Sequence, residues 1–415
     1  VESRNVISGN STGGILLSTS GTNYGTIIQG NYIGTDVTGT VDLGNDDGIA
    51  VRSPNNTIGG TAAAARNVIS GNDIGISIFM GASGSPNQNV IQGNYIGTNA
   101  AGTGDLGNTT DGISISESAG NTIGGTATGA GNIISGNNDN GVLITGSGST
   151  GNLVQGNFIG TDVNGTADLG NTGDGLEISG AAGNTVGGTA AGARNVISGN
   201  GDDGVAVIGN GATMNLVQGN FIGTDLNGTA DLGNTDAGVN IDNASNNTVG
   251  GTTAEARNII SGNDDDGVQF FGSGATANQL QGNFIGTDVN GTTALANGDD
   301  GVFLFSGATN NTIGGTAAGA GNVIGGNIGN GVEITDGTTE GNQILGNIIG
   351  RNLAGTGRAN GGHGVLAIGS GPNQIGGTVA GAGNVIANNG GDGVAVVFAG
   401  VSSFFKFIRQ NSIFG

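Results

Sequence analysis

The sequence predicts an all-β chain, a single-stranded right-handed parallel β-helix of about 20 rungs of about 21 residues each. Three observations lead there. A run of Asn, two β-branched residues, a small residue and Gly-Asn begins at Asn5 and returns at Asn67, Asn132, Asn195, Asn258, Asn322 and, with Asn388 in place of the Gly, at Asn384, at intervals of 62, 65, 63, 63, 64 and 62. Such regularity means one supersecondary unit stacked on copies of itself. Within each unit the apolar segments are short and interrupted by Gly, Asn and Asp, which disfavours helix. All copies carry the same residues in the same order, so stacking in parallel sets like beside like at about 4.8 Å.

Each unit of about 63 residues reads as three rungs. The first has a strand in Asn195-Val196-Ile197-Ser198-Gly199-Asn200 and another in Gly204-Val205-Ala206-Val207. Alternation puts Val205 and Val207 inside and Ala206 outside, in a slot that holds Ser77, Leu143, Gln269 and Glu333 in other units. The second rung is Asn215-Leu216-Val217-Gln218-Gly219-Asn220-Phe221-Ile222-Gly223. The third enters at Gly238-Val239-Asn240-Ile241 and closes with Asn247-Thr248-Val249-Gly250-Gly251. The Asn that opens each segment is a turn residue, and stacked Asn side chains would satisfy one another from rung to rung. Paired glycines such as Gly59-Gly60 read as tight corners.

Six units give 18 rungs, with further rungs from Asn384 and in Gln410-Asn411-Ser412-Ile413-Phe414-Gly415. No composition break separates them, so residues 1–400 form one solenoid. Residues 401–415 are set apart by Phe404, Phe405, Phe407 and Phe414 and by Lys406, the only Lys, and read as a last rung or cap. The chain starts inside a repeat, which suggests a piece of something longer.

Glycine supplies 93 residues but only 3 are proline and there is no Gly-X-Y period, which excludes collagen. There is no cysteine, so disulfides and thiol chemistry are excluded. No apolar run reaches the length of a transmembrane helix. Nine basic side chains against 31 acidic ones give a net charge of −22, which repels nucleic acid and anionic membrane and attracts cations.

The connection from the second to the third rung concentrates the acids. Its first Asp recurs at Asp36, Asp162, Asp225 and Asp288, its second at Asp42, Asp105, Asp168 and Asp231, and its third at Asp47, Asp111, Asp174 and Asp300. Two readings stand side by side. Asp in a turn caps backbone N–H groups; alternatively, two Asp six residues apart with loop carbonyls bind Ca²⁺ through oxygen ligands. The Ca²⁺ reading names Asp36, Asp42, Asp162, Asp168, Asp225, Asp231 and Asp288 as ligands, and no other cofactor is expected. Equivalent Asp residues three rungs apart, about 14 Å, could not share an ion.

A catalytic site would be a local exception to the repeat. The best exception is the segment from Arg351 to His363, which carries Arg351, Arg358 and the only His in a loop that is acidic elsewhere. These three residues are the candidate binding site, for a polyanion or as a degenerate lyase site; drift in an external loop is the competing account. Aromatic platforms look scarce: Trp is absent and Tyr occurs at 24, 32 and 95. Phe158, Phe221, Phe284 and Ile348 share the slot of Tyr32 and Tyr95, which reads as a shallow, partly covered outer stripe. The Thr at 35, 98, 161, 224 and 287 recur too sparsely for an ice-binding array.

The recurring Asn-x-Ile-x-Gly-Asn, Asp-Gly-Val-x-Ile and Asn-Thr-Ile-Gly-Gly segments resemble the parallel β-helix repeats of large bacterial secreted and surface proteins. The resemblance implies an extracellular or cell-surface location and a carbohydrate-rich setting. That group includes adhesins and surface rods as well as polysaccharide lyases, hydrolases and epimerases, whose catalytic residues find no counterpart here. The resulting expectation is a non-enzymatic structural or adhesive segment of a larger surface protein, with Ca²⁺ as a candidate stabiliser. Its partners would be surface or matrix polysaccharide, neighbouring domains or copies of itself. The alternative is a polysaccharide-processing enzyme.

Overall fold

The computed structural model describes residues 4–18, 25–80, 86–398 and 407–415. Tyr24, Phe404, Phe405 and Lys406 lie outside them. The chain divides into two compact units, residues 1–205 and 206–415. Both are all-β solenoids in which every turn places one short strand in each of three parallel sheets. A representative turn of the first unit runs from Tyr32–Ile33 in sheet one through Asp47–Val51 in sheet two and Thr57–Gly59 in sheet three. It returns to sheet one at Val68–Ile69, which pairs in parallel with Tyr32–Ile33. The only helix among the described residues is the single 3₁₀ turn Ala63–Ala65. None is long and apolar enough to cross a membrane.

The turn count corrects the sequence expectation. There are about 12 turns, not 20. Tyr32 pairs with Val68 and Val68 with Tyr95, so one repeat makes two turns, of 36 and 27 residues. The reason is local. The second-rung segment was read as one strand, but Val90–Gln92 lies in sheet three and Tyr95–Ile96 in sheet one, with Gly93-Asn94 turning the corner between them. Each segment taken for a rung holds two strands, so three segments supply six strands and two turns. Equivalent loop Asp residues are therefore two turns apart, roughly 10 Å.

The bore is filled as the pleat requires. In the first unit Ile33, Ile69, Ile96, Ile134 and Ile159 of sheet one are fully buried, as are Ile58, Ile91, Ile123 of sheet three. In the second, Val268, Phe270, Val302 and Leu304 of sheet two do the same. The outward slot of sheet two is only partly open at Leu143, Gln269 and Glu333. At Ser77, stacked between Ala50 and Ser114, and at Ala206 it is buried, against expectation.

Asparagine ladders run along all three corners. In the first unit, Asn132 donates both its backbone N–H and its side-chain amide to Asn157 Oδ1, at 3.0 and 2.9 Å. Asn108 and Asn137 repeat the pattern at the second corner and Asn121 and Asn152 at the third. In the second unit Asn258–Asn283, Asn263–Asn297 and Asn278–Asn311 are the counterparts. The remaining amide hydrogen goes to a carbonyl of the preceding turn, as from Asn157 Nδ2 to Ile123 O at 3.0 Å. These ladders satisfy buried polar groups that the short strands cannot. Glycine lets the chain enter the corner: Gly124 has φ +83°, and a Cβ there would run into Gln155 O and the Asn157 amide. Replacing Gly124 with Ala is expected to lower stability by at least about 2 kcal/mol, measurable by chemical denaturation.

The Tyr and Phe slot is an outer apolar layer with a cover. Tyr32 and Tyr95 are 8% and 6% exposed and pack with Val68 and Ile133, against Ala100, Phe158 and Val163. Arginines close the layer by stacking: Arg4 lies 3.7 Å from the Tyr32 ring centre, Arg66 4.1 Å from Tyr95 and Arg257 4.0 Å from Phe284. It is not an open stripe. At the end of the second unit, Phe407–Arg409 pairs with Gln374–Gly376 and Ser412–Phe414 with Val385–Ala387. Phe407, Ile408, Ile413 and Phe414 are about half exposed there.

Candidate functional site: the carboxylate ladder of sheet two

Most sheet-two strands are preceded by a glycine, and where the residue before it is Asp, Asn or His a second kind of ladder forms. That residue's side chain accepts the backbone N–H of its counterpart in the next turn. In the second unit Asp300 N–H donates to Asp266 Oδ1 at 2.8 Å, and Asn330 N–H donates to Asp300 Oδ1. His363 N–H donates to Asn330 Oδ1 at 2.7 Å, and Asp392 N–H donates to His363 Nδ1 at 2.9 Å. In the first unit Asp174 N–H donates to Asn140 Oδ1 at 2.9 Å and Asp203 N–H to Asp174 Oδ1 at 3.0 Å. Asp, Asn and His exchange along the ladder because each can accept one hydrogen bond, and Ala237, whose side chain cannot accept, interrupts the run. His363 thus belongs to a ladder, and its Nδ1 lone pair is committed, leaving the neutral ring's proton on Nε2. The Asp392 carboxylate is 3.7 Å from the same Nδ1 and becomes an ion-pair partner only if the ring is protonated.

Stacking these acids has an electrostatic cost. Burial, then the charges of Asp203 and Asp202, push the Asp174 carboxyl up to about 8. Burial and the neighbouring Asp265 push Asp266 up to about 8. Asp300 is also raised to about 8 by burial, against the pull of the Asn330 N–H and with the charge of Glu333 adding to the rise. Burial and Asp139 raise Asp111 to about 6. Burial and a hydrogen bond shared with Asp236 raise Asp265 to about 6. Asp47 and Glu333 are raised as well, chiefly by burial. At neutral pH Asp174, Asp266 and Asp300 hold protons. Among the described residues two places gather three carboxylates: Asp174, Asp202 and Asp203 in the first unit, and Asp265, Asp266 and Asp299 in the second. In each, one oxygen per residue lies within 4.8 Å of the others. Both offer the hard oxygen donors that a divalent cation takes.

The loop Asp residues singled out from sequence are placed differently. Asp36 accepts N–H groups from Thr40 and Val41 at 3.0 and 3.2 Å and the Thr38 hydroxyl at 2.7 Å, which hold its carboxyl down at about 2. Asp162 Oδ1 accepts from Thr166 and Ala167, Asp225 Oδ1 from Thr229 and Ala230, and Asp288 Oδ1 from Thr292 and Thr293. Burial alone would raise these three carboxyls, but the donors outweigh it and hold them low. Asp42, Asp168 and Asp231 each accept the N–H of a glycine two residues on, at 2.9, 2.8 and 3.0 Å. The loop folds back on itself, with Thr35 bridging Asp42, Thr161 Asp168 and Thr224 Asp231. None of these seven belongs to the two three-carboxylate groups.

Arg351, Arg358 and His363 take up separate partners. The Arg358 guanidinium donates to Thr292 O and to Gly357 O. Arg351 lies 5.6 Å from the centre of the Phe414 ring, and His363 is in the ladder.

Sequence reasoning missed an aromatic patch beside the carboxylates of the second unit. Phe271, Phe303 and Phe305 occupy outward slots of sheet two, in Val268–Phe271 and Val302–Phe305. The Phe303 and Phe305 rings stack at 4.3 Å with 10° between planes, and Phe271 meets Phe305 at 4.9 Å. The available signal was the segments Val-Gln-Phe-Phe and Val-Phe-Leu-Phe, where period two leaves Phe on the polar side.

No protein-family model matches the chain, and no curated protein matches it significantly. Several solved structures share the fold. The periplasmic alginate epimerase AlgG aligns at 11% identity with a TM-score of 0.36, over 92% of this chain and 76% of that one. The Azotobacter vinelandii mannuronan C-5 epimerase AlgE6 A-module aligns at 13% and 0.40, over 99% and 90%. The Dettilon tailspike protein gp208 aligns at 14% and 0.41, over 92% and 61%. The chain is a right-handed-type parallel β-solenoid, similar in fold to β-helix proteins.

Proposed function

We propose that the chain is a non-enzymatic extracellular segment of a larger surface protein, a repeat-built scaffold that presents a polar, acidic face to cell-surface or matrix polysaccharide. One observation carries this reading. The ladder side chains Asp174, Asp266, Asp300 and His363 each accept a backbone N–H, by the same device in successive turns. Replacing Arg351, Arg358 and His363 together with Ala, Ala and Asn is then expected to leave polysaccharide retention unchanged within about twofold. Loss of a glycan-directed activity in that variant would overturn the scaffold reading.

The alternative is a polysaccharide-processing enzyme. Favouring it are two carboxyl pairs, Asp236 with Asp265 and Asp300 with Glu333, joined by side-chain hydrogen bonds. Such pairs can hold one proton and one charge near neutral pH. Incubation with a panel of polysaccharides, followed by assays for new reducing ends, unsaturated products and epimerised sugars, decides between the two. The scaffold reading expects none.

Calcium is part of the proposal as a stabiliser. Titration calorimetry at pH 8 is expected to register Ca²⁺ uptake, and at pH 5 to register much less, because protons then occupy the column. Equal heats at both pH values, or none at either, would remove calcium from the account.

A further inference from the structure

We propose that the outer face of sheet two around Phe271, Phe303 and Phe305 binds a polysaccharide bearing free amino groups, the sugar rings lying on the phenylalanines and the ammonium groups against the adjacent carboxylates. This rests on the polysaccharide-binding reading above and names the site and the class of sugar.

The rings are not needed by the core. Val268, Phe270, Val302 and Leu304 from the same two strands fill the bore and are fully buried. Phe271, Phe303 and Phe305 lie on the other face, partly exposed and in mutual contact. The two turns that flank the rings carry Asn240, Asp242, Glu333 and Thr335 outward, so the phenylalanines stand between polar rows, with Leu366 and Ile368 outward again one turn further on. Phenylalanine offers a flat face and no hydrogen-bonding group, which suits the C–H face of a sugar ring and not its hydroxyl edge.

Register puts charge next to the rings. Phe303 pairs with Gln269 on one side and Glu333 on the other, and Phe305 pairs with Phe271. The same strands are preceded by Asp265-Asp266 and Asp299-Asp300. Asp266 and Asp300, raised to about 8 by burial, hold protons at the pH of the test, so the charge offered to an ammonium group is that of Asp299, which acts on all three neighbours, and in part that of Asp265. From Asp300 to Phe305 is about 16 Å along an extended strand, room for more than one sugar. The described arginines of the second unit are used elsewhere: Arg257 on Phe284, Arg351 near Phe414, Arg358 on Thr292 and Gly357, and Arg409 over Phe407. An anionic polysaccharide would meet uncompensated negative charge, whereas an amino polysaccharide meets complementary charge and an apolar platform together.

The test is calorimetry with a glucosamine hexamer at about pH 6, beside the N-acetylated hexamer, a uronic acid hexamer and a lysine hexapeptide. The glucosamine hexamer is expected to bind at least tenfold tighter than each of the others and to weaken with added salt. Phe303→Ser with Phe305→Ser is expected to weaken it at least tenfold; Asp299→Asn should weaken the glucosamine hexamer while leaving the N-acetylated one unchanged. Serine already occupies outward slots at Ser114 and Ser116, and an unchanged circular dichroism melt checks folding. Equal binding of the N-acetylated or uronic acid hexamer, equal binding of the peptide, or full affinity in the double variant overturns the proposal. If the chain retains another polysaccharide and the double variant retains it equally, this site falls while the scaffold reading survives. If no polysaccharide is retained, both fall.

Discussion

The melting temperature is expected to rise by several degrees as the solution is taken from pH 9 to pH 5, the reverse of ordinary acid denaturation. Asp174, Asp266 and Asp300 have folded-state carboxyls near 8, against 3.8 as the ordinary value, with burial the main cause. A carboxyl raised on folding takes up protons on folding. Its favourable contribution is complete below about 4 and is lost as pH climbs through about 8. One pKa unit corresponds to about 1.4 kcal/mol, so each ionisation costs the fold up to roughly 6 kcal/mol, and a third of that at three positions still moves the melt by several degrees. The opposite limb begins below about pH 4. There the loop caps at Asp36, Asp162, Asp225 and Asp288, held low by N–H donors, take up protons and lose their hold on the loops. Stability should therefore peak between about pH 4 and 5. Asp300→Asn is the decisive variant: Asn330 and Asn140 already serve as acceptors in this ladder, so it should flatten the alkaline limb without harming the fold. A melt that falls steadily from pH 9 to pH 5 would contradict this account.

Much of the fold was readable because every unit repeats the same choices. Parallel stacking, the inward Ile and Val and the stacked corner Asn all follow from identical residues falling in register. The turn count was not readable, because two strands separated only by Gly93-Asn94 look like one until the chain is seen to change sheets there. The site was harder for a different reason. Repetition announced the loop acids, but whether Asp36 faces a cation or the N–H groups of Thr40 and Val41 depends on loop closure, which spacing does not encode. His363 looked like a break in pattern when judged by charge; judged by its ability to accept one hydrogen bond it is a regular member. Phe270 and Phe271 are neighbours in sequence, yet one fills the bore and the other faces outward, so counting aromatics could not find the patch.

Asn283→Asp, a change of one atom, is expected to destabilise the protein by about 3–5 kcal/mol at pH 7, as much as losing one partner of a buried charged pair. Asn283 is fully buried. Its Oδ1 accepts from Asn258 N and Nδ2 at 3.2 and 2.9 Å, and its Nδ2 donates to Val249 O at 3.0 Å and Asn322 Oδ1 at 3.1 Å. A carboxylate keeps the first pair and turns both donations into oxygen–oxygen contacts. Protonation recovers one of the two, so the damage should grow with pH, unlike that of Asn283→Ala, which leaves neighbours unsatisfied but adds no charge. The contrast with Asp300→Asn is the point of the experiment. The sheet-two ladder asks only for an acceptor and tolerates Asn, Asp or His; the corner ladder asks one side chain to accept and donate along the stack, and only an amide does both. Denaturant melts of the two variants at pH 5 and pH 8 separate the ladders. Equal tolerance of Asp at residue 283 and Asn at residue 300 would mean that the hydrogen-bonded amides do not hold the corners together.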